Sequence, residues 1–165
     1  MRIVVLDSDV LIDIEGIVST NRKALREVIK SFLTSFCKAN YILIPKTVRK
    51  EVGERIIQEL YYYSKDFAGF EICGISNQRE VKEIVKRFFK VAKGSRKHRG
   101  EADAINQILK IGKMDNQTKV RRYGFKEITL IFVSGDKRAL NVVENLGIEF
   151  INWEDFKPYL REILR

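Results

Sequence analysis

The first residues of the chain constrain its fold most strongly, because an apolar run there stops at a carboxylate. Residues 3–6 are all apolar, Asp7 follows at once, and a second carboxylate, Asp9, comes two residues later. A short apolar run between polar residues is typical of a strand buried on both faces of a sheet. Ligands of such open α/β sheets bind beyond the carboxyl ends of the central strands. The sequence therefore predicts that Asp7 lies at a binding site.

A second apolar run ends in the same way. Residues 128–133 predict a buried strand, and Ser134 and Asp136 follow it closely. Shorter predicted strands cover residues 41–44, 70–75 and 148–151, with amphipathic helices between them. Alternating strands and helices predict a three-layer α/β/α sandwich around a mostly parallel central sheet. At 165 residues, the chain is expected to form a single domain, residues 1–165.

Two of the connecting segments are interpreted from local signals. Pro45 is typical of a first helical position, and the helix after it is predicted to continue through Leu60. The segment 112–127 is polar and lacks apolar periodicity, which predicts a loop or an irregular arm.

Composition limits the classes of function. The longest apolar runs are too short to cross a bilayer and the N-terminus is a poor signal peptide, so no membrane association and a cytoplasmic location are expected. Cys37 and Cys73 lack the spacing of metal ligands, which predicts free thiols. His98 is the sole histidine, and it lies in a basic segment far from any nucleophile motif. This disfavours a histidine-based zinc site or a Ser-His-Asp triad.

The positive charge of the chain is uneven. The net charge is +9, and residues 79–99 contain nine Lys or Arg residues against two Glu. Such clustering is typical of a surface that binds a polyanion, although a solvated charged surface would give the same pattern. The predicted RNA-binding residues lie in the basic loop around residue 97 and are Lys93, Arg96, Lys97 and Arg99.

Several carboxylates are expected to meet at one edge of the sheet. The carboxyl ends of parallel strands and the N-termini of the following helices share an edge, which places Asp7, Glu51, Asp103 and Asp136 there. Grouped carboxylates repel one another unless a cation neutralises them. Oxygen ligands without Cys or His suit Mg²⁺ or Mn²⁺. Each acid taken alone is more often a helix cap, so the joint arrangement carries the prediction.

Four segments, in this order, resemble the PIN-domain ribonuclease family. They span nearly the whole chain and are Ile3-Val-Val-Leu-Asp-Ser-Asp-Val-Leu-Ile12, Ile44-Pro-Lys-Thr-Val-Arg-Lys-Glu-Val52, Gly100-Glu-Ala-Asp-Ala-Ile105 and Phe132-Val-Ser-Gly-Asp136. The resemblance implies a metal-dependent endoribonuclease. It also implies that the acids named above bind the metal, with Mg²⁺ or Mn²⁺ as cofactor.

The resemblance assigns further roles. Glu101 matches an acid of one subgroup, but residues two apart on a helix point in nearly opposite directions, so Glu101 and Asp103 are not both expected to bind the metal. Asp103 is favoured because its Asp-Ala-Ile sequence suits the helix of the family, with Glu101 as an auxiliary ligand. Ser134 matches a hydroxyl position that orients a carboxylate or a water molecule. Asp9 stands where the family often has Asn or Ser, so it is either a ligand or a helix cap. RNA is the implied substrate, and an antitoxin partner or a homodimer is consistent with the family.

The biological role stays open between the toxin of a toxin–antitoxin pair and an RNA-processing nuclease. The chain is longer than a minimal toxin nuclease, with the additions expected within residues 65–100 and 112–127.

Two other interpretations compete with the nuclease. A haloacid-dehalogenase-type phosphatase begins with a strand and Asp-x-Asp, as at Asp7 and Asp9, but its later second acid would fall on Leu140. A basic RNA-binding module with the same fold and no catalysis is the other alternative.

Overall fold

One parallel sheet forms the centre of the molecule. The computed structural model describes residues 1–18, 21–73, 77–91 and 97–165. The strands in this part of the chain are β1 Arg2–Leu6, β2 Tyr41–Pro45, β3 Gly69–Cys73, β4 Thr129–Ser134 and β5 Glu149–Asn152. They are hydrogen-bonded in the order β3-β2-β1-β4-β5, and every pair is parallel. The predicted α/β/α sandwich is confirmed, and the described sheet is wholly parallel.

Helices connect the strands. Their bounds are α1 Ser8–Ile17, α2 Arg22–Lys30, α3 Lys46–Glu51, α4 Glu54–Ser64, α5 Gln78–Ile84, α6 Arg99–Gly112, α7 Asn116–Tyr123, α8 Lys137–Asn145 and α9 Lys157–Ile163. A π-helical turn prolongs α2 over Ser31–Phe36 and another prolongs α5 over Val85–Phe89, and a 3₁₀ turn, Trp153–Asp155, precedes α9. Among the described residues, none of these helices has both the length and the apolar character that a bilayer crossing requires.

The sheet separates two hydrophobic cores. Because successive side chains of a strand point to opposite faces, Val4 and Val5 of β1 enter different cores. One core packs the sheet against α1, α2, α4 and α9, and the other packs it against α5, α6 and α8. All strand residues that face the cores from β1 are completely buried. The central strand is therefore rigidly held, and so is the residue that follows it.

The strand order places a topological switch point between β1 and β4. The chain moves outward from β1 to β2 and β3 on one side, and from β4 to β5 on the other. The helices that follow β1 and β4, α1 and α8, pack on opposite faces of the sheet. Leu6 lies opposite Val133, and the Asp7 N–H donates to the Val133 carbonyl at 3.0 Å. Such a point leaves a crevice beyond the carboxyl ends of the two strands.

Two local predictions are wrong. The helix expected from Pro45 through Leu60 is broken, since Val52 is extended (φ −108°, ψ 156°) and Gly53 caps a new helix. A Cβ at Gly53 would lie 2.8 Å from the Glu15 carboxylate, so a larger residue there would require the Glu15 side chain to move. The break separates α3, at the edge with the crevice, from α4 in the core.

The segment 112–127, predicted as a loop, contains α7. The Asp115 side chain caps this helix by accepting from the backbone N–H of Thr118 at 2.9 Å, and Gly124 ends it with φ 82°. Tyr123 is the only buried residue within α7. A helix with so little apolar surface has no periodic pattern that the sequence could show.

Candidate functional site

Asp7 is a buried carboxylate at the end of β1. It is 1% exposed and caps α1, with Oδ1 accepting from the Ser8 backbone N–H at 2.7 Å. Oδ2 accepts from the hydroxyl of Ser134, which ends β4, at 2.8 Å. Burial raises the pKa of Asp7 well above its ordinary value, and the charges of Asp9 and Glu101 raise it further. Asp7 therefore carries an electrostatic penalty that neighbouring positive charge would relieve.

Asp9 lies on the first turn of α1, beside the same residues. Its Oδ2 accepts from the Gly135 backbone N–H at 2.8 Å, and its Oδ1 accepts from the N–H of Val10 at 2.7 Å. Its two oxygens are each 3.5 Å from the Ser134 hydroxyl oxygen. Burial raises the pKa of Asp9, and the Asp136 charge contributes in the same direction. Asp9 therefore holds the turn after β4 through its hydrogen bond with Gly135, and it also belongs to the acidic group.

Ser134 connects the two strand ends. The residue is completely buried, donates to Asp7 and accepts from the Asp136 backbone N–H at 3.0 Å. A single hydroxyl proton has one best acceptor, and Asp7 is the nearest carboxylate. The supporting position predicted for Ser134 has this contact in the structure, although its role in a reaction stays a prediction.

Asp136 and Glu101 meet at the start of two helices. Asp136 caps α8, its Oδ1 accepting from the backbone N–H groups of Arg138 and Ala139 at 2.7 and 3.2 Å. Glu101 lies in the first turn of α6. Burial raises the pKa of Glu101, and the Asp136 charge adds to this. The structure therefore brings together Asp7, Asp9, Glu101 and Asp136 from three elements at the switch point.

His98 lies against this group. Its Nδ1 is 3.3 Å from Glu101 Oε1 and 3.9 Å from Asp136 Oδ2. Its ring stacks on Phe89, with centroids 4.6 Å apart and planes inclined by 14°. Sequence reasoning missed His98, because its surroundings in the sequence are basic and the acids that approach it are contributed by the fold. The three-residue spacing to Glu101 at a helix start was the only local signal.

Asp103 occupies a different setting on α6. It is completely buried, and it accepts a hydrogen bond from the Thr47 hydroxyl of α3 and from the Gln107 side chain at 3.4 Å. Burial raises the pKa of the Cys73 thiol on β3, and the charge of Asp103 raises it further. The described contacts of Asp103 therefore tie α6 to α3. Thr47, which no sequence pattern indicated, is part of this contact.

Glu51 is exposed at the end of α3, near the start of α6. A Cβ built on Gly100 would lie 3.3 Å from Glu51 Oε2, so this carboxylate borders the residue before Glu101. Of the predicted RNA-binding residues, Lys97 is exposed and Arg99 is the half-buried first residue of α6. Lys93 and Arg96 lie outside the described residues.

The donor set limits what the group can hold. Apart from His98, the converging groups offer hard carboxylate oxygens, which suit Mg²⁺ or Mn²⁺. Burial, and after it the charge of neighbouring acids, raises the pKa values of Asp7, Asp9 and Glu101, and a divalent cation would offset both effects. The residues present therefore fit a cation of this class.

Comparison with known proteins does not assign this chain to a family. No protein-family model and no curated protein matches this chain.

Proposed function

We propose that this chain is a divalent-cation-dependent endoribonuclease that hydrolyses phosphodiester bonds at the crevice between β1 and β4. The observation that carries the proposal is the convergence of Asp7, Asp9, Glu101 and Asp136 at the topological switch point. Their positions come from three separate parts of the chain. Capping alone does not require several acids so close together that the charge of one raises the pKa of another.

The four carboxylates would hold Mg²⁺ or Mn²⁺, with Glu51 and Asp103 as further candidates from the family resemblance. A bound divalent cation would supply charge stabilisation for the phosphodiester and activate a water molecule. Asp7 is fixed for this role by Ser8 and Ser134, which each occupy one of its oxygens. Preorganised carboxylates need no rearrangement when a substrate arrives.

Glu101 would serve as an auxiliary ligand of the cation. Burial and the Asp136 charge raise its pKa, so a cation bound beside it would favour its ionised form. One of its carboxylate oxygens lies 3.3 Å from His98 Nδ1.

The charge of the chain supports a nucleic-acid substrate. The net charge of +9 is concentrated in segments that include residues 79–99, and Lys97 and Arg99 flank His98 at the start of α6. Basic side chains there would neutralise backbone phosphates on either side of the scissile bond. RNA rather than DNA is the substrate that the family resemblance implies. A cytoplasmic location, an antitoxin partner and a homodimer belong to the same proposal, and so does a choice between a toxin and an RNA-processing role.

The test is cleavage of a broad pool of end-labelled RNAs, resolved by length. The purified chain is expected to shorten RNA with Mg²⁺ or Mn²⁺, to lose this activity with EDTA, and to lose it in Asp7→Asn. Asp66→Asn is the matched control, since it removes one exposed carboxylate near Met1, at the opposite edge of the sheet from Asp7, and should cleave normally. Unchanged RNA length with both cations would refute the proposal.

The same samples separate the competing functions. RNA binding without cleavage, equal with and without the cations, would support a non-catalytic RNA-binding module. A phosphatase of the haloacid-dehalogenase type would release phosphate from a generic phosphomonoester and would lose this activity in Asp9→Ala. A nuclease is expected to keep part of its cleavage in Asp9→Ala, because Asp7, Glu101 and Asp136 would still be present to hold the cation.

A further inference from the structure

One nitrogen donor faces the acidic group. The Nδ1 atom of His98, a carboxylate oxygen of Glu101 and a carboxylate oxygen of Asp136 all lie within 4.8 Å of one another. Each belongs to a different side chain, and all three residues are partly buried. An imidazole nitrogen with two carboxylate oxygens is a donor set that first-row transition metals use.

The imidazole is held in place by its surroundings. The His98 side chain is 14% exposed and stacks on Phe89, which is completely buried. The Phe89 carbonyl in turn accepts a hydrogen bond from Arg138 of α8, the helix that Asp136 caps. The residue that supports the histidine ring is therefore hydrogen-bonded to the helix that Asp136 caps. A ligand fixed in this way loses little freedom when it binds a cation.

We propose that His98 is a ligand of the cation at this site, and that its nitrogen makes the site favour a first-row transition-metal ion such as Mn²⁺ over Mg²⁺. The inference rests on the proposed function, because it presumes that a divalent cation is bound there. Mg²⁺ prefers oxygen ligands and keeps several of its waters, whereas imidazole binds transition-metal ions well. His98 would bind through an unprotonated Nδ1, with the proton on Nε2.

The composition of the chain makes this proposal directly testable. His98 is the sole histidine, so any imidazole signal from a chain without a polyhistidine tag belongs to it. Mn²⁺ bound to the chain labelled with ¹⁵N-histidine should show nitrogen coupling in electron-spin-echo spectra. Calorimetric titration with Mn²⁺ and with Mg²⁺ should give the tighter dissociation constant for Mn²⁺. Neither measurement depends on catalytic activity.

Variants separate the ligand from its neighbours. His98→Gln should weaken Mn²⁺ binding by at least about tenfold, remove the nitrogen coupling and leave Mg²⁺ binding nearly unchanged. Glu144→Gln, an exposed carboxylate within α8, is the control and should bind both ions normally. Thermal unfolding in EDTA verifies that His98→Gln is folded, and the wild-type spectrum tests the proposal even if the variant is not.

The outcomes distinguish this proposal from the proposed function. Absence of nitrogen coupling in the Mn²⁺-loaded chain would overturn the role of His98, as would equal effects of His98→Gln on both ions. In either case, binding of a cation would leave the nuclease proposal standing. Failure of both ions to bind the wild-type chain would remove the basis of both proposals.

Discussion

The substitution Asp7→Asn is expected to stabilise the metal-free protein while it abolishes cleavage. Asp7 is 1% exposed, and the charges of Asp9 and Glu101 act against its ionised form. Asparagine has nearly the same shape and its carbonyl oxygen can still accept from the Ser8 N–H. The Ser134 hydroxyl can rotate to serve the new amide, so the main change is the loss of a buried charge.

The size of the effect follows from that loss. Removing the desolvation penalty of one buried polar group is worth about 1–3 kcal/mol in the free energy of unfolding. For a domain of this length, each kcal/mol shifts the melting temperature by roughly 2–4 °C. Scanning calorimetry in EDTA should therefore show a higher melting temperature for Asp7→Asn than for the wild type.

The pH dependence shows at which pH the variant is expected to be more stable than the wild type. The pKa of Asp7 is raised in the folded state, so the unfolded chain releases this proton first as the pH rises. The wild type therefore loses stability from about pH 4 upward until the folded pKa is passed, and the variant does not incur this loss. The advantage of Asp7→Asn should be absent near the unfolded pKa and present at neutral pH.

A bound cation is expected to raise the melting temperature of the wild type relative to that of the variant. A ligand that binds the folded state stabilises it, so Mn²⁺ should raise the melting temperature of the wild type and leave that of Asp7→Asn unchanged. Asp66→Asn, with the same change in charge, should behave as the wild type does. An Asp7→Asn protein that is less stable than the wild type in EDTA, at every pH, would refute the reasoning.

Three other predictions concern contacts away from the central carboxylate. Thr47→Val removes the hydroxyl that donates to the buried Asp103 and should lower the free energy of unfolding by about 1.5–3 kcal/mol in denaturant titration. Burial raises the pKa of the Cys37 and Cys73 thiols to about 12, so both should resist alkylation near neutral pH until the chain is unfolded, as mass spectrometry would show. Glu59 is 2% exposed and bonded to two arginines at 3.1 and 3.0 Å, so Glu59→Gln should cost about 1.5–3 kcal/mol in the same titration.

Exposed contacts of the same chemical kind provide matched controls for the two stability predictions. Thr118→Val changes an exposed hydroxyl bond to Asp115 and should have a smaller effect than Thr47→Val. Glu54→Gln removes a pair whose carboxylate is 62% exposed and should change stability by less than about 1 kcal/mol. Equal losses from buried and exposed partners, or rapid alkylation of the folded chain, would contradict the corresponding prediction.

The strand ends were predictable from the sequence alone. The apolar runs of β1 and β4 stop at Asp7 and Ser134, because a strand buried on both faces is apolar almost throughout and polar side chains enter where it ends. Parallel pairing then follows from the alternation of strands and helices. The sequence therefore determined the α/β/α architecture, and it indicated which edge would carry the carboxylates.

The boundaries of individual helices were harder to predict from the sequence. At the break, Gly53 lies beside the side chain of Glu15, 38 positions earlier in the chain, and no local pattern encodes that contact. In α7, which Asp115 caps, the helix buries too little apolar surface to show periodicity.

Only the tertiary structure decided which polar groups meet in the crevice. Glu101 and Asp103 are two residues apart, and the packing of α6 brings the first towards Asp136 and the second into contact with Thr47 of α3. His98 joins the acids because Phe89, from the end of a different helix, supports its ring. A strand end is specified by the residues within it, whereas the rotation of a helix and the partners of its polar side chains depend on surfaces contributed by distant segments.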